Sequence, residues 1–172
     1  HCPTAQAYED RFIQAVKDYA GKSVAFVAIS SNSPIGILPE ELGYTELSDT
    51  YEEMKIRAKD KSYNFPYLYD GDTHEFSLAY GPVATPHVFV FDKERKLTYS
   101  GRIDASEKPG TANAEDLRYA IDMTLEENAL PEDKAQTPSF GCSMKWAWKN
   151  EYTIKTNKAW KEKEVTLEKL ST

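Results

Sequence analysis

The two cysteines are the side chains with the most evident chemistry. Cys2 precedes Pro3 at the start of a segment with helical spacing, and Cys142 lies in the distant stretch FGCSMKW. A thiol in the first turn of a helix is close to unpaired N–H groups and to the positive end of the helix dipole. Both favour the thiolate, which is the nucleophile in disulfide chemistry. Pro3 suits that turn because it has no N–H to leave unpaired. The sequence therefore predicts a reactive thiol at Cys2, with an inert buried cysteine as the alternative.

Other candidates for reactive or ligand-binding side chains are few. His1, adjacent to Cys2, could add positive charge when it is protonated. His74 is interpreted as a solvated helix residue and His87 as a strand residue. Two cysteines and three scattered histidines supply too few soft ligands for a metal site. We therefore predict neither a metal nor a cofactor.

Composition limits the classes of function. The chain has 172 residues, of which 40% are hydrophobic, and this is enough for one domain with a core. Charged residues make up 28% and the formal net charge is -7, which argues against a nucleic-acid surface or a polybasic membrane patch. No stretch approaches the roughly 20 apolar residues of a membrane helix.

The first half of the chain alternates between helix and strand. Apolar residues recur at helical spacing from Pro3 to Ala20, and residues 23–30 form a nearly continuous apolar run, typical of a buried strand. Asp49 is predicted to cap a helix over residues 50–62. A short extended piece, an Asp-Gly turn and a helix that ends at Gly81 follow.

The second half begins with a predicted β-hairpin. Two apolar strands, His87–Asp92 and Leu97–Ile103, are joined by a charged turn, and an amphipathic helix follows within residues 109–130. The remaining residues lack a clear period, and we expect them to lie over the domain as an irregular arm. A helix that leads into a buried strand implies a crossover connection, so we expect a parallel strand to precede Cys2 in the complete polypeptide.

Several segments together resemble one protein family. HCPTAQAYEDR, FPYLYD, LAYGPVATPHVFVFD, LTYSGRIDAS and PSFGCSMKW occur in the order that is typical of redoxins of the AhpC/TSA type. The resemblance covers roughly residues 1–148. It implies an α/β class and a thioredoxin-like three-layer α/β/α fold with a mixed sheet, of which the N-terminal and central strands are missing from this chain.

The resemblance also implies roles for individual residues. In that family a Cys-x-x-Cys-Pro segment enters the first helix, so Cys2 would be the second cysteine of the pair and the chain a fragment of a longer polypeptide. The Thr85–Pro86 bond is expected to be cis, with Pro86 facing the pair and offering a backbone edge to an extended substrate. His1, Pro3 and Thr85 would lie on the substrate side. Such a pair performs thiol–disulfide exchange with protein disulfides or a redox partner.

Cys142 has two interpretations. As a third redox thiol, it would resolve or store a disulfide with Cys2 or with the first cysteine of the pair. As a structural residue, it would pack beneath Trp146. A redox role requires the two sulfurs to approach each other, which the sequence does not establish, so both interpretations stay open.

Two further functions compete with thiol–disulfide exchange. The stretch Cys-Pro-Thr also resembles peroxiredoxins, in which Cys2 would be the peroxidatic and Cys142 the resolving cysteine. Where peroxiredoxins carry an arginine that polarises peroxide, this chain has Thr98, with Arg102 nearby in sequence, and this weakens the peroxidase interpretation. The third hypothesis is a non-catalytic thioredoxin-like domain that binds partners.

The resemblance suggests a domain organisation and a location. We expect a redoxin domain at residues 1–137, an arm packed on it at residues 138–160 and a linker at residues 161–172. EVTLEKLST resembles the connector that leads into a second thioredoxin-like domain in some tandem members. Members of this appearance are often exported, so an extracytoplasmic location, periplasmic or membrane-anchored, is expected, with the cytoplasm as the alternative.

Overall fold

A computed structural model describes residues 1–38, 41, 46–151 and 155. Trp160 and the predicted linker at residues 161–172 lie outside the described residues. Within the described ranges, no helix combines the length and the apolar character needed to cross a membrane.

Two consecutive helices open the chain. α1 spans Pro3–Ala7 and α2 spans Glu9–Asp18, so the predicted continuous helix is interrupted at Tyr8 and ends earlier than expected. Tyr8 is only 2% exposed, and its hydroxyl donates to the carbonyl oxygen of Asp104 at 3.5 Å. The interruption thus lies where a buried side chain joins the opening segment to the far half of the molecule.

The first strand pair is parallel. β1 (Ala28–Ser30) pairs with β2 (Tyr67–Tyr69), and α3 (Tyr51–Asp60) lies between them in sequence. β1 is shorter than the strand predicted over residues 23–30 because, within the described part of the chain, only residues 28–30 pair with another strand. The predicted cap of α3 is wrong by one residue: the Oγ1 atom of Thr50 accepts a hydrogen bond from the N–H of Glu53 at 3.2 Å. The Asp49 carboxylate instead accepts hydrogen bonds from His1 and Asn32.

A buried aspartate organises the next helix. α4 (Glu75–Tyr80) ends at Gly81, as predicted, with the glycine in the left-handed region at φ 66°. The carboxylate of Asp70 accepts hydrogen bonds from the N–H and the hydroxyl of Ser77 at 2.8 and 2.5 Å. Burial raises the pKa of Asp70, but these bonds outweigh it and leave the pKa below its usual value.

The prediction that His74 is solvated is wrong. The side chain is 1% exposed, and the centroid of its imidazole ring lies 5.1 Å from the ring centroid of Trp146 and 5.3 Å from that of Trp148. Nε2 accepts from the N–H of Ala147 at 2.9 Å, which leaves Nδ1 to donate to the carbonyl oxygen of Ser31 at 3.1 Å. Both ring nitrogens are therefore satisfied by backbone groups, and the residue joins the C-terminal arm to the loop after β1.

The predicted hairpin is confirmed. β3 (Val88–Phe91) and β4 (Leu97–Gly101) are antiparallel, with Val88 opposite Gly101. α5 (Glu115–Leu125) packs against both strands, and the short α6 (Glu132–Ala135), which the sequence pattern did not indicate, lies beside β4.

A core and an open cleft define the interior. The buried cluster consists of Tyr8, Tyr19, Ile103, Ala114, Leu117 and Ile121. The β1–β2 and β3–β4 pairs form separate sheets within the described part of the chain, and a cleft of about 1520 Å³ is lined by residues of both, including Cys2 and Pro86. The mixed α/β architecture agrees with the predicted class. That a further strand lies between the two pairs stays a prediction.

The arm after α6 lies along the domain. Gln136 pairs with Ser100 of β4, Cys142 pairs with Thr85, and the carbonyl oxygen of Lys145 accepts from the N–H of Ser33 at 2.8 Å. These contacts join the arm to β4, to the loop that follows β1 and to the loop that precedes β3, where its cysteine lies.

Candidate active site

Cys2 lies immediately before the first helix rather than inside its first turn. It is the N-cap of α1, and its Sγ atom accepts from the N–H of Ala5 at 3.4 Å. The thiol donates to the carbonyl oxygen of Thr85 at 3.4 Å. Only 4% of the residue is exposed. The sulfur is thus held between the start of α1 and the loop that leads into β3, with Pro3 exposed beside it.

The loop before β3 carries the predicted proline. The Thr85–Pro86 peptide bond is cis, as the resemblance predicts, and Pro86 lines the same cleft as Cys2. Thr85 therefore presents its carbonyl oxygen to the Cys2 thiol. The structure brings Cys2, Thr85 and Pro86 together at one place.

Cys142 lies at the same place. The N–H of Thr85 donates to the carbonyl oxygen of Cys142 at 2.9 Å, and the N–H of Cys142 donates back to Thr85 at 3.2 Å, which is an antiparallel pairing. The hydroxyl of Thr85 adds a bond to the same Cys142 carbonyl at 3.3 Å. Both backbone groups of Thr85, the edge predicted to bind an extended substrate, are thus paired with the arm.

The environment of Cys142 opposes its ionisation. Burial, followed by hydrogen bonding to the Cys2 thiol and the charge of that sulfur, raises the pKa of Cys142 to about 11. The backbone N–H of Thr4 and the positive charge of Lys145 act in the opposite direction. Because two of the three raising causes come from Cys2, the acidity of one thiol depends on the state of the other.

A network of hydrogen bonds links His1, next to Cys2, to the arm residue Lys145. Nδ1 of His1 donates to the Asp49 carboxylate at 2.8 Å, and the side-chain amide of Asn32 donates to the same carboxylate at 2.8 Å. The side-chain oxygen of Asn32 in turn accepts from the N–H of Lys145 at 3.0 Å. Since Asn32 is 6% and Asp49 is 9% exposed, these bonds are shielded from water.

Lys145 is a buried cation beside the arm cysteine. It is 2% exposed, and its ammonium group forms an ion pair with Glu41 and a hydrogen bond to Ser143 at 3.4 Å. Burial lowers the pKa of Lys145, but the hydrogen bond that Lys145 donates to Glu41, together with the negative charge of Glu41 and smaller contributions, outweighs burial and raises the pKa, so the side chain stays charged at neutral pH. A buried charge of this kind is retained only where it is paired.

His87 follows the cis proline and is neutral. The ring is half-buried and stacks on Phe89 with centroids 4.5 Å apart, and burial lowers the pKa of His87. Nδ1 accepts from the N–H of Val83 at 3.3 Å, so Nε2 carries the proton and donates to the hydroxyl of Ser100 at 3.0 Å. The ring is therefore tied to β4 and not to either cysteine.

Thr98 and Arg102, the residues that bear on a peroxidase role, have other partners. The hydroxyl of Thr98 bonds the carbonyl oxygen of Val90 at 3.2 Å and the hydroxyl of Thr124 at 2.9 Å. The Nε atom of Arg102 donates to Asp116 at 2.6 Å, so its charge is neutralised there. Neither side chain is shown in contact with a cysteine.

Three functional candidates were missed from the sequence. In the sequence, Asn32 lies in a Ser- and Pro-rich loop, Asp49 has the residue type of a helix cap, and Lys145 is one of many lysines in the arm. Position within loops that follow a buried strand is the only signal that could have singled out Asn32 and Asp49. Among the described residues, no group of three or more histidine, cysteine or acidic side chains is arranged to hold a metal ion.

A family comparison agrees with these features. The model of the AhpC/TSA family matches residues 1–100, which is more than half of the 172 residues. The chain belongs to the AhpC/TSA family. Membership supports thiol-dependent redox chemistry of the redoxin or thiol peroxidase type, and the predicted thioredoxin-like fold is confirmed.

Two solved structures are similar over most of the chain. A hypothetical protein from Sinorhizobium meliloti 1021 is 35% identical with a TM-score of 0.70, and the match covers 85% of this chain and 74% of that one. An uncharacterized conserved protein from Geobacillus kaustophilus is 38% identical with a TM-score of 0.70, over 85% of this chain and 72% of that one. No curated protein matches the sequence significantly.

Proposed function

We propose that this AhpC/TSA member is the thiol–disulfide oxidoreductase domain of a redoxin, acting on protein disulfides or on a redox partner. Cys2 is the second cysteine of a Cys-x-x-Cys pair in this proposal. The observation that carries it is the contact of the Cys2 thiol with the Thr85 carbonyl oxygen, at 3.4 Å and beside Pro86. An extracytoplasmic location and a further thioredoxin-like domain after the arm belong to the same proposal and rest on the resemblance alone.

The burial of Cys2 fits the second position of the pair. In thiol–disulfide exchange, one thiolate attacks the substrate disulfide, and the other resolves the resulting mixed disulfide within the same protein. The resolving sulfur needs no access to a bulky substrate, and Cys2 is 4% exposed. The N–H of Ala5 donates to the sulfur and stabilises the negative charge that develops on it, and the hydrogen bond to the Thr85 oxygen holds the thiol beside the cis proline.

A thiol peroxidase is the second candidate, and the proximity of Cys142 favours it. A peroxidatic cysteine oxidised to a sulfenic acid condenses with a nearby thiol to give a disulfide. The pairing of Arg102 with Asp116 argues against this function, because that guanidinium is already neutralised. We therefore rank disulfide exchange first.

Two assays on the same full-length preparation separate these functions. We expect the protein to accelerate the reduction of insulin by dithiothreitol well above the rate with dithiothreitol alone, and to consume hydrogen peroxide no faster than free cysteine at the same thiol concentration. Rapid peroxide consumption without insulin reduction would identify a peroxidase. Inactivity in both assays would contradict both catalytic proposals and leave the non-catalytic binding domain.

A further inference from the structure

We infer that the segment 141–143 occupies the Thr85 edge of this site as an extended substrate would, and that the oxidised protein contains a Cys2–Cys142 disulfide. This inference rests on the proposed function and assigns the role of a resolving thiol to Cys142. It also resolves the two interpretations of that residue in favour of redox chemistry.

The backbone pairing at Thr85 is the first argument. An extended chain that docks on this edge forms antiparallel hydrogen bonds through the N–H and the carbonyl oxygen of Thr85. Cys142 makes both bonds, at 2.9 and 3.2 Å. Its side chain therefore occupies the position of the substrate residue opposite Thr85, and the Thr85 oxygen that accepts from Cys142 also accepts from the Cys2 thiol.

Gly141 makes this close approach sterically feasible. Its φ is +139°, and a Cβ atom at this residue would lie 2.0 Å from the Thr85 oxygen and 3.2 Å from a methyl carbon of Thr4. Contacts of 2.0 Å between nonbonded heavy atoms do not occur in folded proteins. Only glycine at position 141 lets the backbone of Cys142 pair with Thr85.

The anchoring of the arm is the third argument. Three residues beyond Cys142, the N–H and the carbonyl oxygen of Lys145 are bonded to Asn32 and to Ser33 at 3.0 and 2.8 Å. Met144 is 5% exposed, and Lys145 is 2% exposed. The backbone of Cys142 is thus held from both sides, by the Thr85 pairing that Gly141 permits and by the Lys145 anchor, and its N–H shares the Thr85 oxygen with the Cys2 thiol.

Cys142 becomes easier to ionise only after Cys2 has reacted, because Cys2 helps to raise the pKa of Cys142. Once the Cys2 sulfur is bonded to another sulfur, it carries neither a charge nor a proton. The hydrogen bond and the charge that help to raise the pKa of Cys142 then disappear. The lowering influences of the Thr4 N–H and of Lys145 remain, so Cys142 becomes more acidic at the step in which it must attack.

The chemical step balances without a further reagent. The Cys2 thiolate first attacks a disulfide, which is either the substrate disulfide itself or the mixed disulfide that the substrate has formed with the first cysteine of the pair. The Cys2–SR bond forms, the attacked S–S bond breaks, and the other sulfur leaves as a thiolate that takes up a proton, so the substrate disulfide is the oxidant. RS is then the sulfur of a substrate cysteine or of the first cysteine of the pair. The Cys142 thiolate attacks the Cys2 sulfur, so the Cys142–Cys2 bond forms and the Cys2–SR bond breaks. RS⁻ leaves with the electron pair and takes up the proton that Cys142 has lost. Two electrons have then passed from the Cys2 and Cys142 thiols to the substrate disulfide.

Disulfide mapping tests the inference directly. The reduced full-length protein is incubated with oxidised glutathione, quenched in acid, alkylated and digested, and its peptides are analysed by mass spectrometry. We expect a cross-linked pair of peptides that contains Cys2 and Cys142. In the Cys142→Ser variant, we expect Cys2 to accumulate instead as a disulfide with glutathione or with the first cysteine of the pair.

A matched pair of glycine variants tests the role of the arm geometry. Gly141→Ala is expected to slow formation of the Cys2–Cys142 disulfide by about 100-fold, because it displaces the attacking sulfur. Gly110→Ala is the control, since Gly110 has φ +74° and nothing within 4 Å of an added Cβ, and it should leave the rate unchanged.

The outcomes distinguish this inference from the proposed function. Oxidation of Cys2 to another disulfide, with Cys142 still a free thiol in the wild-type protein, would overturn the inference and leave disulfide exchange intact. If Cys2 stays a thiol under all these conditions, both fail. Mapping of the wild-type protein decides the question even if the Gly141 variant does not fold.

Discussion

The Cys2→Ser variant is expected to reduce insulin disulfides at least about 100-fold more slowly than the wild-type protein, because an intramolecular thiol at high effective concentration is lost. Resolution of the mixed disulfide would then depend on dithiothreitol from solution. Serine is close to cysteine in size, and its hydroxyl can accept from the N–H of Ala5 as the sulfur does. The free energy of unfolding, measured by urea denaturation, should therefore change by less than about 1 kcal/mol.

The matched control for this experiment is Cys142→Ser. In the insulin assay its effect should be much smaller, because dithiothreitol can reduce a disulfide of Cys2 without the arm thiol. A Cys2→Ser variant that keeps the wild-type rate would show that this sulfur takes no part in turnover. Equal losses in the two variants would show instead that Cys142 is as necessary as Cys2 in the presence of dithiothreitol.

The Asp104→Asn variant is expected to lose about 3–5 kcal/mol of unfolding free energy, because it leaves the buried Arg11 cation without its counter-charge. Asp104 is fully buried, and its carboxylate accepts from Arg11 of α2 at 2.9 Å and from the N–H of Ala114, at the start of α5, at 2.9 Å. The carboxylate therefore joins the helix that follows α1 to the helix behind β3 and β4. Urea denaturation at neutral pH measures the loss.

The Asp116→Asn variant provides the control for Asp104. Asp116 is also paired with an arginine, at 2.6 Å, but its side chain is 22% exposed and that of Arg102 is 30% exposed. Solvent screening limits such a pair to about 1 kcal/mol or less. Equal destabilisation by the two substitutions would contradict the view that the Arg11–Asp104 pair is the structurally important one.

Features with a local cause could be predicted from the sequence. The hairpin follows from two apolar strands around a charged turn, and the end of α4 follows from Gly81, which adopts the left-handed conformation that glycine tolerates best. The start of the first helix could be predicted to within one residue of Cys2, because Pro3 marks the first helical residue. The cis bond before Pro86 required the family resemblance, because the local sequence does not favour it.

Features that depend on distant partners could not be predicted. The interruption at Tyr8 coincides with a contact to Asp104, and the burial of His74 depends on two tryptophans more than seventy residues further along the chain. Asp49 has the residue type of a helix cap, but its carboxylate is bonded to His1 and Asn32.

The pairing of Cys142 with Thr85, beside Cys2, is the most consequential of these distant contacts. The sequence indicated only that Cys142 lies between small residues, which allows but does not require an approach to Cys2. The approach depends on the pairing of Cys142 with Thr85 and on the conformation of Gly141. A redox role for Cys142 could therefore be proposed only from the tertiary structure.

A redox titration of Cys2 tests most directly whether this sulfur is the redox centre of the domain. The full-length protein is equilibrated with defined ratios of reduced and oxidised glutathione, and the fraction of free Cys2 thiol is measured by alkylation after denaturation and mass spectrometry. We predict a two-electron transition with a midpoint between about -270 and -120 mV, the range of thioredoxin-like oxidoreductases. A Cys2 residue that remains a free thiol even in oxidised glutathione alone would contradict the proposed function.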